Sequence, residues 1–314
     1  MKPKVMGLMI TCNEEWIIEQ SITILLKYVD EVLVLDASTD RTREALITSD
    51  RVTVYFQENY PELTNYGEYR QFLLDRGRER GCEHFVCIDA DEMFPRNFSV
   101  EVFNTLVMNL PIGYAYQFNV ANFYKDSYHY TMQGKIGSKF IDAIFHDDTI
   151  CSYCYRNEVH EERTPCNKYI KVEYPLLHYG CLSTLKMDLR RLYYMLLECK
   201  YNINSARGIN FNYYINSCMS KNFKSKLMLV SDELIYPFIN YAELTQDAGI
   251  SYINKVYTIY MSDPDKYNML NLHGSFSFYK VTRDRIIDLI RTRSIKVIFK
   301  SLRDYLILDI LKKW

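Results

Sequence analysis

Apolar and polar positions along the first ninety residues predict a regular succession of strands and helices. Runs that are apolar at nearly every position are typical of strands buried on both faces of a parallel sheet. Stretches between them carry apolar residues at three-and-four spacing, which is typical of amphipathic helices. The predicted strands are 4–10, 31–38, 52–58 and 85–92, and the predicted helices are 13–29, 40–48 and 65–81. This order predicts an α/β fold with a parallel, right-handed, doubly wound sheet.

Residues at the ends of two of these helices support the assignment. Asn13 is the predicted N-cap of the first helix, and acids follow it in the first turn, where the helix dipole favours them. Asn65 and Glu68 form a predicted capping box for the third helix. Gly81 follows the end of that helix, as a glycine commonly does.

The pattern changes in the later part of the chain. A predicted helix ends before Pro111, and strand-like runs follow it. After Gly180 the sequence pattern becomes typical of helices. The segments concerned are a helix at 100–110, strand-like runs at 114–124, 139–145 and 171–178, and a helix at 185–200. We therefore predict an α/β domain at 1–180 and a mainly helical C-terminal region at 181–314.

Three acids follow the apolar run 85–88 within four residues: Asp89, Asp91 and Glu92. Because side chains on a strand alternate between faces, we expect Asp89 and Asp91 to point to the same side. Neighbouring carboxylates repel and raise each other's pKa unless a cation lies between them. A divalent metal is the obvious candidate, because the carboxyl ends of strands bind ligands in open α/β sheets.

Asp36 ends another apolar run at the same predicted edge of the sheet. A carboxylate there is placed to accept hydrogen bonds from a base or ribose, although a loop acid or helix cap would have the same sequence. The first strand is followed by neither a dinucleotide fingerprint nor a Walker loop, since the sequence there is MITCNEE. A metal bridging the diphosphate would hold a nucleotide without them.

Two histidines lie in settings that suit a functional site, although each is equally explained as an ordinary structural histidine. His178 ends a predicted strand, and His160 is surrounded by Glu158, Glu161 and Glu162.

Composition and charge indicate which partners and which cellular compartment suit the chain. The chain has 38 basic and 39 acidic residues, so no nucleic-acid partner is indicated. Nine cysteines without a recognisable secretion signal or apolar span indicate reduced thiols in a cytoplasmic protein. The spacing of Cys151, Cys154, His160 and Cys166 is loosely compatible with zinc, but only one pair is tight, and buried core cysteines are the simpler explanation.

Several of these motifs, taken in order, resemble family-2 glycosyltransferases with the GT-A fold. They are MITCNEE, EVLVLDASTDRT, YRQFLLDRG, FVCIDADE, NEVHEE and LLHYG, and the resemblance covers residues 4–185. It is greatest to bacterial and viral enzymes related to lipopolysaccharide-core glucosyltransferases. It implies a Rossmann-like, nucleotide-sugar-binding catalytic domain and an inverting, metal-dependent hexosyltransferase. The donor would be a nucleotide sugar, with a UDP-sugar favoured, and the acceptor a hydroxyl of a glycan or of a lipid-linked or protein-linked saccharide.

The same resemblance implies roles for individual residues. The nucleotide-sugar site would comprise Thr11, Glu14 and Asp36 at the nucleoside, Arg70 near the diphosphate, Asp89 at the ribose or donor sugar, and Ala90 and Asp91 beside it. Asp91 and His178 would hold Mn2+ or Mg2+. Glu161 would be the catalytic base, with Glu158 and Glu162 as alternatives.

Two other functions stay open. The first is a nucleotidyltransferase that makes a nucleotide sugar, although such enzymes usually have a glycine-rich basic loop where this chain has the acidic TCNEE. The second is a catalytically silent module that binds saccharide as a scaffold.

The C-terminal segment from Arg283 to Trp314 has nine basic and four acidic residues, a net charge of +5. Its apolar residues recur at helical spacing, so it resembles a helix that lies on an anionic membrane surface. Packing of the apolar stripe on the rest of the protein explains the pattern equally well. We therefore expect a cytoplasmic protein, and peripheral membrane contact is one of these two interpretations.

Overall fold

The chain divides into two compact units. A computed structural model describes residues 3–47, 49–57, 66–123, 129–131, 140–153, 163–180, 184–202, 228–236 and 258–267, with residues 182, 205, 208, 209, 256 and 270. One unit comprises Met1–Met187 and Cys218–Ser251, and the other comprises Asp188–Ser217 and Tyr252–Trp314. The division at residues 180 and 181 stays a prediction, and the segment from Arg283 to Trp314 lies outside the described residues.

Strands and helices alternate through the first ninety residues, as the sequence predicts, and strands predominate in the part of the first unit that follows. In chain order the elements are β1 (Val5–Thr11), α1 (Ile18–Leu25), β2 (Glu31–Asp36), α2 (Thr42–Leu46), β3 (Val52–Phe56), α3 (Tyr66–Glu79), β4 (His84–Cys87), β5 (Glu92–Met93), α4 (Val100–Asn109), β6 (Tyr114–Phe123), β7 (His129–Thr131), β8 (Phe140–His146), β9 (Lys168–His178) and β10 (Met228–Leu229). Two further helices are α5 (Thr184–Lys200) and α6 (Pro264–Tyr267). In the described part of the chain, no helix has the length and apolar character needed to cross a membrane.

The strands form one mixed sheet with a parallel centre. The spatial order is β10-β7-β6-β8-β4-β1-β2-β3, and β9 pairs with both β5 and β6. The four strands β4, β1, β2 and β3 are parallel neighbours, and β9 is parallel to β6. The intervening β8 is antiparallel to both β4 and β6, so β4 and β6 run in the same direction. The predicted fold class is confirmed: a mostly parallel central sheet is flanked by helices.

Successive side chains of the central strands point to opposite faces of the sheet, so the core has a part on each face. Val32 and Val34 of β2 pack in a cluster with residues of α1 and α4. Leu33 and Leu35 of the same strand pack in a second cluster with residues of α3. Both faces are therefore covered by helices, which explains why these strands are apolar at nearly every position.

Helix α3 approaches β4 closely because Gly77 has no side chain. A Cβ atom at this position would lie 2.4 Å from Cε1 of Phe85, whose ring is fully buried. Gly81 follows the helix with a φ of 70°, as its predicted place beyond the helix end requires. The predicted capping residue Asn65 lies outside the described residues.

The predicted N-cap at Asn13 is wrong. Helix α1 begins only at Ile18, and no side chain caps its first turn. Asn13 instead has a φ of 60°, and its Oδ1 accepts hydrogen bonds from the backbone N–H groups of Thr39, at 2.7 Å, and Asp40, at 3.3 Å. The asparagine thus joins the loops that follow β1 and β2, a long-range contact that local helix signals do not report.

A stacked pair of histidines lies where β4 begins and β8 ends. It makes the free energy of unfolding depend on pH. His84 and His146 are partners in the β4–β8 ladder, with ring centroids 3.9 Å apart. Burial, together with His146, lowers the pKa of the His84 imidazole from 6.5 to about 4. Between these values the unfolded chain binds more protons than the folded protein, so the free energy of unfolding falls as the pH is lowered.

We expect His84→Phe to reduce that fall, because phenylalanine keeps an aromatic ring beside His146 but cannot titrate. Denaturant unfolding measured above and below this pH window checks the prediction. An equal loss of stability on acidification in the wild-type protein and the variant would contradict it.

Candidate functional site

Polar side chains end two neighbouring parallel strands at the carboxyl edge of the sheet, and an aromatic side chain ends the third. Thr11 of β1 is the register partner of Asp36 in β2, and Asp36 is the partner of Phe56 in β3. Thr11 and Asp36 are buried, yet within the described ranges Thr11 Oγ1 and Asp36 Oδ2 have no hydrogen-bond partner. Leaving buried polar atoms unpaired costs free energy. The two atoms therefore suit the polar groups of a ligand.

Arg43 of helix α2 places a positive charge beside Asp36. Its Nε lies 3.6 Å from Asp36 Oδ2, beyond hydrogen-bonding distance, and its guanidinium lies 3.9 Å from the centre of the Phe56 ring. The other carboxylate oxygen of Asp36 accepts a hydrogen bond from the backbone N–H of Ser38 at 3.0 Å. Arg43 thus balances the charge of Asp36 without taking up the Oδ2 hydrogen bond. No sequence pattern indicated Arg43 or Phe56, because their positions beside Asp36 depend on the packing of α2 and on the pairing of β2 with β3.

Glu14 lies just beyond the end of β1 and is also buried. Its backbone N–H donates to Thr42 Oγ1 at 2.8 Å, which ties it to the beginning of α2. Its carboxylate accepts a short hydrogen bond from the indole N–H of Trp16. These contacts hold Glu14 beside the row of strand ends, where the resemblance expects a nucleoside-binding residue.

The expectation that Asp89 and Asp91 share one side of a strand rests on a premise that is wrong. Strand β4 ends at Cys87, and the following residues form a turn in which the backbone N–H of Glu92 donates to the carbonyl of Asp89 at 3.0 Å. Side-chain alternation does not apply within such a turn. Asp89 and Asp91 therefore meet different partners.

The cation beside Asp89 is an arginine that the sequence did not reveal. Arg163 donates one hydrogen bond to Asp89 Oδ2 at 2.7 Å and two to the carboxylate of Glu92, one of them at 2.9 Å. Burial alone would lower the pKa of the Arg163 guanidinium, but Asp89 and Glu92 reverse this effect and raise it. Arg163 stays charged and balances part of the negative charge of these two acids.

Asp91 and His178 are brought together by strand pairing. Glu92 of β5 is the register partner of His178 in β9, and the backbone N–H of Tyr179 donates to the carbonyl of Asp91 at 2.8 Å. As a result, His178 Nε2 lies 3.6 Å from Asp91 Oδ2. On the other side of the ring, His178 Nδ1 lies 2.6 Å from the Oδ1 of Asn122, its partner in β6.

The contact with Asn122 determines which ring nitrogen carries the proton. An amide oxygen only accepts hydrogen bonds, so His178 Nδ1 is the donor. The second ring nitrogen, Nε2, lies on the side of Asp91. Metal-binding histidines are commonly held in this way by a hydrogen bond from the second ring nitrogen.

This donor set fits a divalent cation that is also bound by a diphosphate. Mg2+ and similar ions commonly take one or two protein ligands and complete their coordination with water and phosphate oxygens. No group of three or more His, Cys, Asp or Glu side chains within the described ranges is arranged to hold an ion by itself.

For the zinc alternative, Cys154 and His160 lie outside the described residues. The Cys151 thiol donates to Asp148 Oδ2 at 3.0 Å.

Of the remaining predicted site residues, some lie in the described part of the chain and the others lie outside it. Arg70 is buried in α3, and both Arg70 and Arg163 act electrostatically on the Cys87 thiol at the end of β4. Arg70 therefore lies close to the turn that contains Ala90 and Asp91. The predicted base and its neighbours, Glu158, His160, Glu161 and Glu162, lie outside the described residues.

We expect Asn122→Ala to weaken Mn2+ binding in the presence of UDP by about 10–100-fold, because His178 loses the hydrogen bond that orients its ring. Asn119→Ala is a matched control, since Asn119 lies in the same strand but on the opposite face. Isothermal titration of both variants measures the two dissociation constants. Equal affinities for the wild-type protein and Asn122→Ala would refute the role of Asn122.

Comparison with known proteins gives only weak similarities. No protein-family model and no curated protein match the sequence. The chain is similar to the crystal structure of GalNAc-T7 with UDP, GalNAc and Mn2+, with a TM-score of 0.29 and 13% identity over 38% of this chain and 24% of that one. It is also similar to a crystal structure of 4-diphosphocytidyl-2C-methyl-D-erythritol synthase, with a TM-score of 0.31 and 14% identity over 46% of this chain and 76% of that one. The chain thus spans about a quarter of the GalNAc-T7 structure, and neither similarity assigns a function.

Proposed function

We propose that this protein is a metal-dependent, inverting glycosyltransferase of the GT-A type. It transfers a sugar from a nucleotide sugar, with a UDP-sugar favoured, to an acceptor hydroxyl. The observation that carries the proposal is the pairing of Asp91 with His178, whose ring is fixed by Asn122. This pair lies at the same edge of the sheet as the buried polar atoms of Thr11 and Asp36, because β1, β2, β4, β6 and β9 run in the same direction.

The strand ends supply the donor site. The Thr11 hydroxyl donates or accepts a hydrogen bond with the nucleoside, and Asp36 Oδ2 accepts one. Glu14 lines the same nucleoside site. Arg70 lies on the diphosphate side. The Asp89 side chain is 44% exposed, so its carboxylate can accept a hydrogen bond from a ribose or sugar hydroxyl while Arg163 holds Oδ2.

Asp91 and His178 would hold Mn2+ or Mg2+ through a carboxylate oxygen and an imidazole nitrogen. When bound, the ion stabilises the negative charge that develops on the departing diphosphate, without any proton transfer. Asn122 keeps the proton of His178 on Nδ1, so that Nε2 remains a ligand.

A base is also needed, because the acceptor hydroxyl loses its proton as it attacks the anomeric carbon. Glu161 takes that proton in our proposal, and Glu158 and Glu162 are the alternatives. Carboxylates beside the reacting carbon also favour the oxocarbenium-like transition state. A single displacement of this kind inverts the configuration at the anomeric carbon.

The acceptor is a glycan or a lipid-linked or protein-linked saccharide in this proposal. If the acceptor is lipid-linked, the basic segment from Arg283 to Trp314 would hold the enzyme at an anionic membrane surface. That role is proposed from the sequence alone.

Release of UDP from a panel of UDP-sugars in the presence of Mn2+ tests the proposal. We expect Asp91→Asn to abolish this release, because the amide lacks the charge that binds the cation. Asp142→Asn is a suitable control, since Asp142 is a partly buried aspartate of β8 that accepts a hydrogen bond from Gln117 at 2.8 Å. Unchanged turnover in Asp91→Asn would refute the metal role. Formation of a nucleotide sugar from UTP and a sugar phosphate would favour the nucleotidyltransferase instead.

Replacement of the base has a different expected signature. Glu161→Gln keeps the shape of the side chain but cannot accept a proton, so transfer should fall by about 10²–10⁴-fold while donor binding is retained. Parallel measurement of turnover and UDP affinity in Glu158→Gln, Glu161→Gln and Glu162→Gln checks this. Normal turnover in Glu161→Gln would move the role to a neighbour, and an equal loss of UDP binding would make Glu161 structural.

A further inference from the structure

We propose that Arg163 is a positioning residue that fixes the Asp89–Glu92 turn and thereby orients the donor-binding carboxylates of Asp89 and Asp91. This inference rests on the proposed function, because it concerns the binding of a metal and a nucleoside diphosphate. It adds a residue that lies outside the Asp-x-Asp motif and that none of the sequence patterns indicated.

The guanidinium of Arg163 binds both ends of the turn. One nitrogen, Nη2, donates to Asp89 Oδ2 at 2.7 Å and to Glu92 Oε1 at 2.9 Å, and Nη1 donates to Glu92 Oε2. Such forked arginine–carboxylate contacts fix geometry as well as charge. The two residues that flank Ala90 and Asp91 are thus held by one rigid group.

Glu92 transmits this constraint to the metal pair. Its side chain is only 1% exposed, and Oε2 accepts a hydrogen bond from the backbone N–H of Asp89 at 3.0 Å. Its backbone belongs to β5 and pairs with His178 in β9. A displacement of Glu92 would therefore change the position of Asp91 relative to His178.

Arg163 itself is anchored at its backbone. The Tyr153 hydroxyl donates to the carbonyl of Arg163 at 2.8 Å, and the backbone N–H of Tyr153 donates to Gln71 Oε1 at 2.9 Å. Tyr153 is buried, and Gln71 belongs to helix α3. The guanidinium is thus presented from a fixed point on the protein and does not simply follow the turn.

The arrangement also separates the acids by function. Arg163 occupies Asp89 Oδ2 and the whole Glu92 carboxylate, so these acids do not compete with Asp91 for a divalent cation. The second oxygen of Asp89 remains available to a hydroxyl of the donor. Without Arg163, three acids within four residues would offer the cation several positions, and only one of them lies beside His178.

The chain contains a matched control for this interaction. Arg78 of α3 binds Asp147 through two hydrogen bonds of 2.7 and 2.8 Å, and it also donates to the carbonyl of Cys151 at 2.7 Å. The backbone N–H of Asp147 donates to the carbonyl of Glu83, just before β4 begins. This second forked pair therefore lies at the edge of the sheet opposite to the proposed site.

The test compares Mn2+ affinity in the presence of UDP with thermal unfolding in Arg163→Gln, Arg163→Lys and Arg78→Gln. We expect both glutamine variants to lower the melting temperature, but only Arg163→Gln to weaken Mn2+ binding, by about 10–100-fold. Arg163→Lys should recover part of the affinity, because a lysine keeps the charge but not the fork. Unchanged Mn2+ affinity in Arg163→Gln, or an equal loss in Arg78→Gln, would overturn the inference.

If Arg163→Gln fails to fold, the double variant with Glu92→Gln keeps the test decisive. Removing both charges avoids an unpaired buried carboxylate, which is the main cost of losing one partner. The double variant should fold and still bind Mn2+ weakly, and wild-type affinity would contradict the inference. Failure of the wild-type protein to bind Mn2+ with UDP would instead refute the proposed function.

Discussion

The hydrogen bond between His178 Nδ1 and Asn122 Oδ1 is the contact on which the proposed site depends. It holds the ring so that Nε2 and the Asp91 carboxylate oxygen Oδ2 lie 3.6 Å apart. This arrangement requires β9 to lie between β6 and β5, because β6 supplies Asn122 and the pairing with β5 aligns the residue after Asp91. The sheet therefore sets the chemistry of the site through strand pairing.

In the proposed site, negative charge is balanced by an arginine and by a divalent ion. Arg163 balances one of the two negative charges of Asp89 and Glu92, and their carboxylates raise its pKa despite burial. Asp91 Oδ2 lies 3.6 Å from His178 Nε2, and we propose that an ion arriving with the nucleotide binds there. Arg43 relates to Asp36 in a similar way, because it balances the charge at 3.6 Å and leaves Oδ2 without a hydrogen bond in the described part of the chain. Asp89 and Asp36 are thus each stabilised by an arginine.

Features governed by local pattern were predictable from the sequence. The apolar runs of β1, β2 and β4, the position of Asp36 at a strand end and the glycine after α3 all follow from neighbouring residues. Arg163 and Asn122 were missed because their partners lie more than fifty residues away along the chain. The error at Asn13 has the same origin, since its hydrogen bonds go to the loop after β2 and outweigh a local capping signal. Long-range contacts thus account for the part of the site that sequence patterns did not reveal.

The central claim is that His178 and Asp91 bind one divalent cation together with a nucleoside diphosphate. Pulsed electron paramagnetic resonance of the protein with Mn2+ and UDP tests it most directly, because imidazole nitrogen and phosphate phosphorus each produce a characteristic modulation. We expect both signals in the wild-type protein and loss of the nitrogen signal alone in His178→Gln. A Mn2+–UDP complex of the wild-type protein that shows no imidazole nitrogen would contradict the claim.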